Sequence, residues 1–145
     1  MKYSYKLTAP AAAVFEILIA EQTSYYRRFL PKLHTLAAGT EVQTKLPTKL
    51  NKLPVEASIK VTEIEASQSF VQETTSASGT IQQAYRLEEK GGQTVLVYEE
   101  RNFFKKALAQ SSYGITGLFY HFVFNMRAKK RARYLDEKAQ ALVSN

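Results

Sequence analysis

The order of apolar and polar residues divides the chain into a strand, a helical stretch, a run of five strands and one long helix. Tyr3, Tyr5 and Leu7 alternate with Lys2, Ser4 and Lys6, the period of two expected of a strand with one buried face. Thr8-Ala9-Pro10 stops the alternation. Pro10 near the first helical position, with Thr8 close by as a cap, opens a helix through Val14, Phe15, Leu18 and Ile19. A second short helix is expected from Ser24 to Leu33, ended by Pro31 or by Gly39 beyond it.

Strand grammar takes over at Thr40. Glu41 to Leu46 reads as a strand, followed by a loop from Pro47 to Pro54. In the next strand Val55, Ala57, Ile59 and Val61 alternate with Glu56, Ser58, Lys60 and Thr62, so the first set points inward. Ser67-Gln68 turns the chain into a threonine-rich strand, Phe70 to Ser76, and Ser78-Gly79 turns it again. Ile81, Gln83, Tyr85 and Leu87 form another inward row, and Gly91-Gly92 makes a hairpin into Thr94 to Phe103. Short turns between successive strands imply an antiparallel meander.

The last third, Ser111 to Asn145, reads as one long helix. Gly114, Gly117, His121, Phe124, Ala128, Ala132, Leu135, Ala139 and Leu142 fall on one stripe at steps of three and four, which should face the sheet. The second half of that stripe is small and aliphatic. Its first half offers two glycines and a histidine where a packed core wants bulk, which reads as room for a ligand.

Around the other side Ile115, Phe119, Phe122, Val123 and Met126 make a second apolar stripe, an expected interface. A second copy in a two-fold homodimer ranks first as its cover, and the preceding segment Phe103 to Tyr113 follows closely. Third comes a peripheral contact with a membrane surface, made with Arg127, Lys129, Lys130, Arg131 and Arg133.

At 145 residues the chain is expected to be one domain, 1–145, large enough to bury a core unaided. The absence of cysteine excludes a disulfide scaffold, a thiol nucleophile and a cysteine zinc site. No signal-peptide pattern follows Met1-Lys2, and the apolar run Gly117 to Phe124 is far short of the roughly 20 residues of a membrane span. A soluble, cytoplasmic protein is expected. A net charge of +7 favours anionic partners. The basic residues of the long helix lack interleaved aromatics and a recognition-helix pattern, so no specific nucleic acid is expected.

The N-terminal strand running into Ala9-Pro10 and then Val14-Phe15, the Val61-Thr62-Glu63 segment before a turn, Gly92-Gln93-Thr94 leading to Leu96 and Tyr98, and the C-terminal helix occur in an order that resembles the START-like (SRPBCC) superfamily. That superfamily includes the birch-pollen-allergen (Bet v1-like) fold, and this chain looks closest to its small, uncharacterised bacterial-type members. The resemblance covers essentially the whole chain. It implies an α+β helix-grip fold: a curved antiparallel sheet of about six strands wrapped around a long C-terminal helix, two short helices after the first strand, and an apolar cavity between sheet and helix. It also implies a parity for the last strand: with Thr94, Leu96 and Tyr98 inward, Glu100 is inward too. Superfamily members bind lipids, hormones and polyketides, or act as cyclases, hydroxylase subunits and co-chaperones, so the fold does not fix the function.

The expected cavity lining is Tyr3, Tyr5, Tyr85, Leu96, Tyr98, Glu100, Gly117, His121 and Phe124. Two of these carry an alternative reading: His121 bonded to a neighbouring tyrosine or carboxylate, and Glu100 in a rim salt bridge with Arg101, Arg86 or a lysine of the helix. No Ser-His-Asp order, glycine-rich phosphate loop or His-Glu zinc motif occurs, and His34 and His121 are far apart in sequence. No catalytic residue, metal site or cofactor is therefore expected. The first functional reading is a non-catalytic binding protein for a hydrophobic or amphipathic small molecule, lipid-like or polyketide-like. The alternative is an interaction or homodimerisation module working through the outer helical stripe. An enzyme using Glu100 and His121 as acid and base ranks third.

Overall fold

The computed structural model describes the backbone of residues 1–46, 55–104 and 107–144, and the side chains of the same residues apart from 104 and 107–120. The elements are β1 (Lys2–Lys6), α1 (Ala11–Arg27), β2 (Glu41–Leu46), β3 (Val55–Glu65), β4 (Ser69–Ser76), β5 (Gly79–Lys90), β6 (Gln93–Phe104) and α2 (Ala107–Ser144). All six strands form one antiparallel sheet in the order β1-β6-β5-β4-β3-β2. The chain therefore lays down β2 to β6 as a meander and returns its first strand to the far edge. The expected α+β helix-grip architecture is the one observed.

One expected feature differs. Instead of two short helices after β1 there is a single helix of 17 residues. The Gln22-Thr23-Ser24 stretch stays helical, and the Thr23 hydroxyl donates to the Ile19 carbonyl at 2.6 Å, satisfying itself within the helix. The helix ends before Pro31, whose ring disfavours helical backbone at Leu30. Pro10 sits at the N-cap, with φ −63° and ψ 147°, rather than inside the first turn.

Two local devices shape the sheet. Gly91 and Gly92 both take positive φ, 57° and 76°, and close the two-residue hairpin between Lys90 and Gln93. In β3 the register shifts between Val61 and Glu63, so that Val61 opposes Gln72 and Glu63 opposes Val71. The extra residue, Thr62, makes a bulge that bends the strand and lets Ile64, three residues after Val61, regain the inner face opposite Phe70. The alternation expected for this strand holds up to the bulge: Ala57, Ile59 and Val61 are buried.

The core lies between the concave face of the sheet and the helices. Phe124, Ala128, Ala132, Leu135 and Ala139 of α2 are all buried, as the sequence stripe predicts. They share the interior with Leu7, Ala9, Val14 and Leu18 from the β1–α1 region. The stripe is buried only where other elements lie across it. His121, one turn before Phe124, is exposed, and so is Leu142 at the other end.

On the convex face the small side chains Val71, Ala84, Val95 and Val97 are also buried. The register sets Arg86 beside Val97 and Glu99 beside Ala84, long stems next to short side chains. Arg86 pairs with Glu63 at 3.1 Å, and Ser69 donates to the same carboxylate at 2.6 Å, holding it below the usual range.

Candidate ligand-binding cavity

The antiparallel register arranges the concave face in cross-strand rows, because residues directly opposite share a face. Tyr3, Tyr98, Tyr85 and Phe70 form one row across β1, β6, β5 and β4. Tyr5, Leu96 and Leu87 form the row on the hairpin side of the aromatics, and Glu100, Gln83 and Gln72 the row on their other side. The inner surface thus grades from aliphatic through aromatic to polar. The packed half of α2 covers the first two kinds of surface.

The aromatic row continues onto the helix. The Phe70 and Tyr85 ring centroids are 6.3 Å apart, those of Tyr85 and Tyr98 4.8 Å, and Tyr98 stacks on Phe124 at 5.7 Å with 15° between planes. The polar row is a hydrogen-bond chain. Tyr26, a fully buried residue of α1, donates to Gln72 at 2.9 Å; Gln72 donates to Gln83 at 2.9 Å; Gln83 donates to the Tyr98 hydroxyl at 3.2 Å. Burial raises the Tyr26 hydroxyl well above its usual range, so it stays a donor.

Where these rows meet α2 a cavity of about 240 Å³ opens, lined by Gln83, Tyr85, Tyr98, Glu100, Val123, Phe124, Arg127, Ala128 and Arg131. A second, more open hollow of about 350 Å³, lined in part by Glu21, Gln72 and Thr74, shares Gln83 with it. Arg131 reaches across to α1, where its guanidinium meets Glu21 at 2.6 Å, and its charge also bears on the Tyr85 hydroxyl. Among the described residues the other Glu21 oxygen is buried without a hydrogen-bond partner. Burial raises the pKa of Tyr85, with Arg131 opposing. Burial likewise raises that of Glu100, against hydrogen bonding from Gln83 and the charges of the N-terminal ammonium and Arg127. The wall therefore combines ring faces with hydroxyl, amide, guanidinium and carboxyl groups, a surface able to orient an amphipathic molecule. Among the described residues no group of three His, Asp or Glu side chains could hold a metal ion.

Of the residues expected from sequence, Tyr85, Tyr98, Glu100 and Phe124 come together in this wall. Leu96 is buried in the core beneath it, and Tyr5 packs against that core. Tyr3 stands opposite Tyr98 at the sheet edge, half-buried and outside the lining. The inward placement expected for His121 is not found: its ring is exposed and does not line the cavity, so Glu100 and His121 do not form a facing pair. Gly117 and Gly114 lie outside the residues described in side-chain detail. The rim salt bridges considered for Glu100 do not form with Arg86 or Arg101, which pair with Glu63 and Glu99.

The outer apolar stripe divides. Phe122 and Met126 are 66% and 56% exposed, whereas Val123 turns into the cavity wall, because it flanks Phe124 on the side away from the core stripe. Ile115 and Phe119 lie outside the residues described in side-chain detail.

Three wall residues escape the sequence reading. Gln83 is legible as inward but not as the hub of a polar chain. Arg127 and Arg131 look like members of a solvated basic cluster; the signal that separates them is their spacing of three and seven residues from Phe124, which places both beside the buried stripe.

Comparison with solved structures supports the fold. The chain is similar to TTHA0849 from Thermus thermophilus, with a TM-score of 0.60 at 11% identity, covering 98% of this chain and 97% of that one. It is similar to Ara h 8.0201, with a TM-score of 0.53 at 10% identity, covering 100% and 97%. It also matches the di-domain ARO/CYC StfQ from the steffimycin biosynthetic pathway, with a TM-score of 0.63 at 10% identity, covering 100% of this chain and 51% of that one. At such identities the likeness is one of fold, the birch-pollen-allergen-like helix grip. Among curated proteins none matches the sequence. Among the described residues no helix is long and apolar enough to cross a membrane. One family matches residues 1–121, and the chain therefore belongs to it: the domain of unknown function DUF3284.

Proposed function

We propose that this protein binds a small amphipathic molecule in the cavity between the sheet and α2, as a carrier or sensor without chemistry of its own. The observation that carries the reading is the wall itself. Two tyrosine rings and Phe124 provide apolar faces, while the Tyr98 hydroxyl, Gln83, Glu100 and Arg127 provide polar groups around the same space. A core evolved only for packing would fill that volume with aliphatic side chains, as the other end of the same helix does. The fold is shared with StfQ, a protein of a biosynthetic pathway, which is compatible with a ring-bearing ligand. At about 240 Å³ the space is slightly below the roughly 300–1,000 Å³ typical of ligand pockets, and it suits a molecule of one or two rings.

The test is occlusion. Val123 is half-buried on the wall, so Val123→Trp can place its ring in the cavity without cutting into the packed stripe. The variant should melt within a few degrees of the parent and lose most of its affinity for a neutral fluorescent probe, N-phenylnaphthylamine. Unchanged titration curves from a folded Val123→Trp would refute the cavity as the binding site.

A further inference from the structure

We propose that the occupant is an aromatic acid, a flat and singly anionic molecule whose rings lie among Tyr85, Tyr98 and Phe124 and whose acidic group is held by Arg127. This rests on the cavity being a ligand site and adds the charge and shape of the ligand.

The charges on the wall argue for the anion. Of the two guanidiniums, Arg131 is already engaged by Glu21 at 2.6 Å. Arg127, exposed at the cavity, makes no ion pair within 4.0 Å and no hydrogen bond among the described residues. Among the described residues Glu100 is the one carboxyl on the lining, and it makes no ion pair within 4.0 Å either. A guanidinium and a carboxyl thus border one space without closing on each other, although the convex-face arginines Arg86 and Arg101 each take a nearby glutamate. A cationic ligand would meet two arginines, and a neutral one would leave Arg127 with only the longer-range pull of Glu100. An anion completes the set.

Burial disfavours the Glu100 anion, and what charge it carries is met from its own side by hydrogen bonding from Gln83 and by the N-terminal ammonium as well as by Arg127. The Tyr98 hydroxyl accepts from Gln83 at 3.2 Å. The ring cluster argues for the aromatic body. Tyr98 stacks on Phe124 and Tyr85 is tilted against Tyr98, so three packed rings line the space, and a further ring can join them through offset or edge contacts where an alkyl chain would gain only area.

Two dyes with the same rings separate the claims: anilinonaphthalene sulfonate carries the anion, and N-phenylnaphthylamine lacks it. The parent protein should bind the sulfonate about tenfold more tightly, the lower end of what a charge-assisted hydrogen bond supplies at a partly solvated site. Arg127→Gln should erase that advantage by weakening the sulfonate far more than the neutral dye; Arg127 is exposed, so the fold should be unaffected, as a melt will show. Naphthoate should displace the sulfonate at lower concentration than decanoate. A sulfonate advantage that survives in Arg127→Gln overturns the acid assignment and leaves the cavity reading standing. Equal displacement by decanoate overturns the aromatic body. Binding of neither dye by the parent overturns the proposal and the cavity reading together.

Discussion

The two ends of the concave face each contain a withdrawn carboxyl, and the fold treats them in opposite ways. At the packed end Asp136 of α2 is only 2% exposed. It accepts from the Thr8 backbone N–H at 3.1 Å, the Thr8 hydroxyl at 2.9 Å and the Ala9 N–H at 2.8 Å, and Gln140 donates to the same Thr8 hydroxyl. It does for the β1–α1 junction what an N-cap side chain would do, since Pro10 offers none. At the cavity end Glu100 is bordered by rings and faces an arginine it does not touch. The first carboxylate is saturated with donors and holds the C-terminal helix to the start of the chain. The second borders open space, with hydrogen bonding from Gln83 and the charges of the N-terminal ammonium and Arg127 set against its burial. Saturation marks a structural group, and under the proposed function the carboxyl beside the cavity is the one that meets a ligand.

The largest break in this comparison should come from Asp136→Ala. Two backbone N–H groups and a hydroxyl would lose their acceptor in a buried site, costing about 4 kcal/mol, with both backbone donors left unpaired. Urea denaturation should show that loss, while dye affinity of the folded fraction stays near the parent's. A loss under about 1 kcal/mol would mean that water reaches the junction and that the cap is dispensable.

Between the two ends lies the Arg131–Glu21 bridge, the strap from α2 to α1, with both side chains about 30% exposed. A double-mutant cycle of Arg131→Met and Glu21→Gln should give a coupling of about 0.5–1 kcal/mol, because solvent screens a pair so exposed. Zero coupling would assign the contact to packing alone.

The smallest effect has the opposite sign. Folding raises the Glu100 pKa, so the folded chain holds that proton more tightly than the unfolded one, and ionisation costs stability. Glu100→Gln should therefore melt above the parent at pH 7. The gap should narrow as pH falls through the raised folded value and close below the ordinary 4.5 of a glutamate. Melting curves of the two proteins across that range check it; a variant less stable than the parent at pH 7 would show that the carboxylate is stabilised where it stands.

Much of the architecture is legible in the sequence because it is periodic. The alternation of β3, the Gly91-Gly92 hairpin and the stripe from Phe124 to Ala139 are each fixed by neighbours in sequence. What is not legible depends on distant partners. Asp136 sits beside the stripe as one more charge, and only the folded chain brings it to Thr8, 128 residues away. The Thr62 bulge leaves no mark in a strand already rich in threonine and valine.

His121 shows the limit of projection most clearly. Its angle on the helix is the angle of the buried residues, but the buried part of the stripe runs only from Phe124 to Ala139, a rise of roughly 22 Å at ~1.5 Å per residue. Direction along a helix is local and can be read; the extent of what covers it is not. Arg127 and Arg131 illustrate the converse, charges that the sequence groups with the basic cluster of the helix and the fold turns toward a cavity.

The central claim is that the cavity end of the grip is where a ligand sits, and amide chemical-shift mapping with N-phenylnaphthylamine tests it most directly. The account predicts perturbations concentrated at Gln83, Tyr85, Tyr98, Glu100 and the Val123–Ala128 turn, with Leu7, Ala9 and Leu135 at the packed end unmoved. Perturbations centred instead on the convex face, or on exposed Phe122 and Met126 with the sheet unaffected, would contradict it.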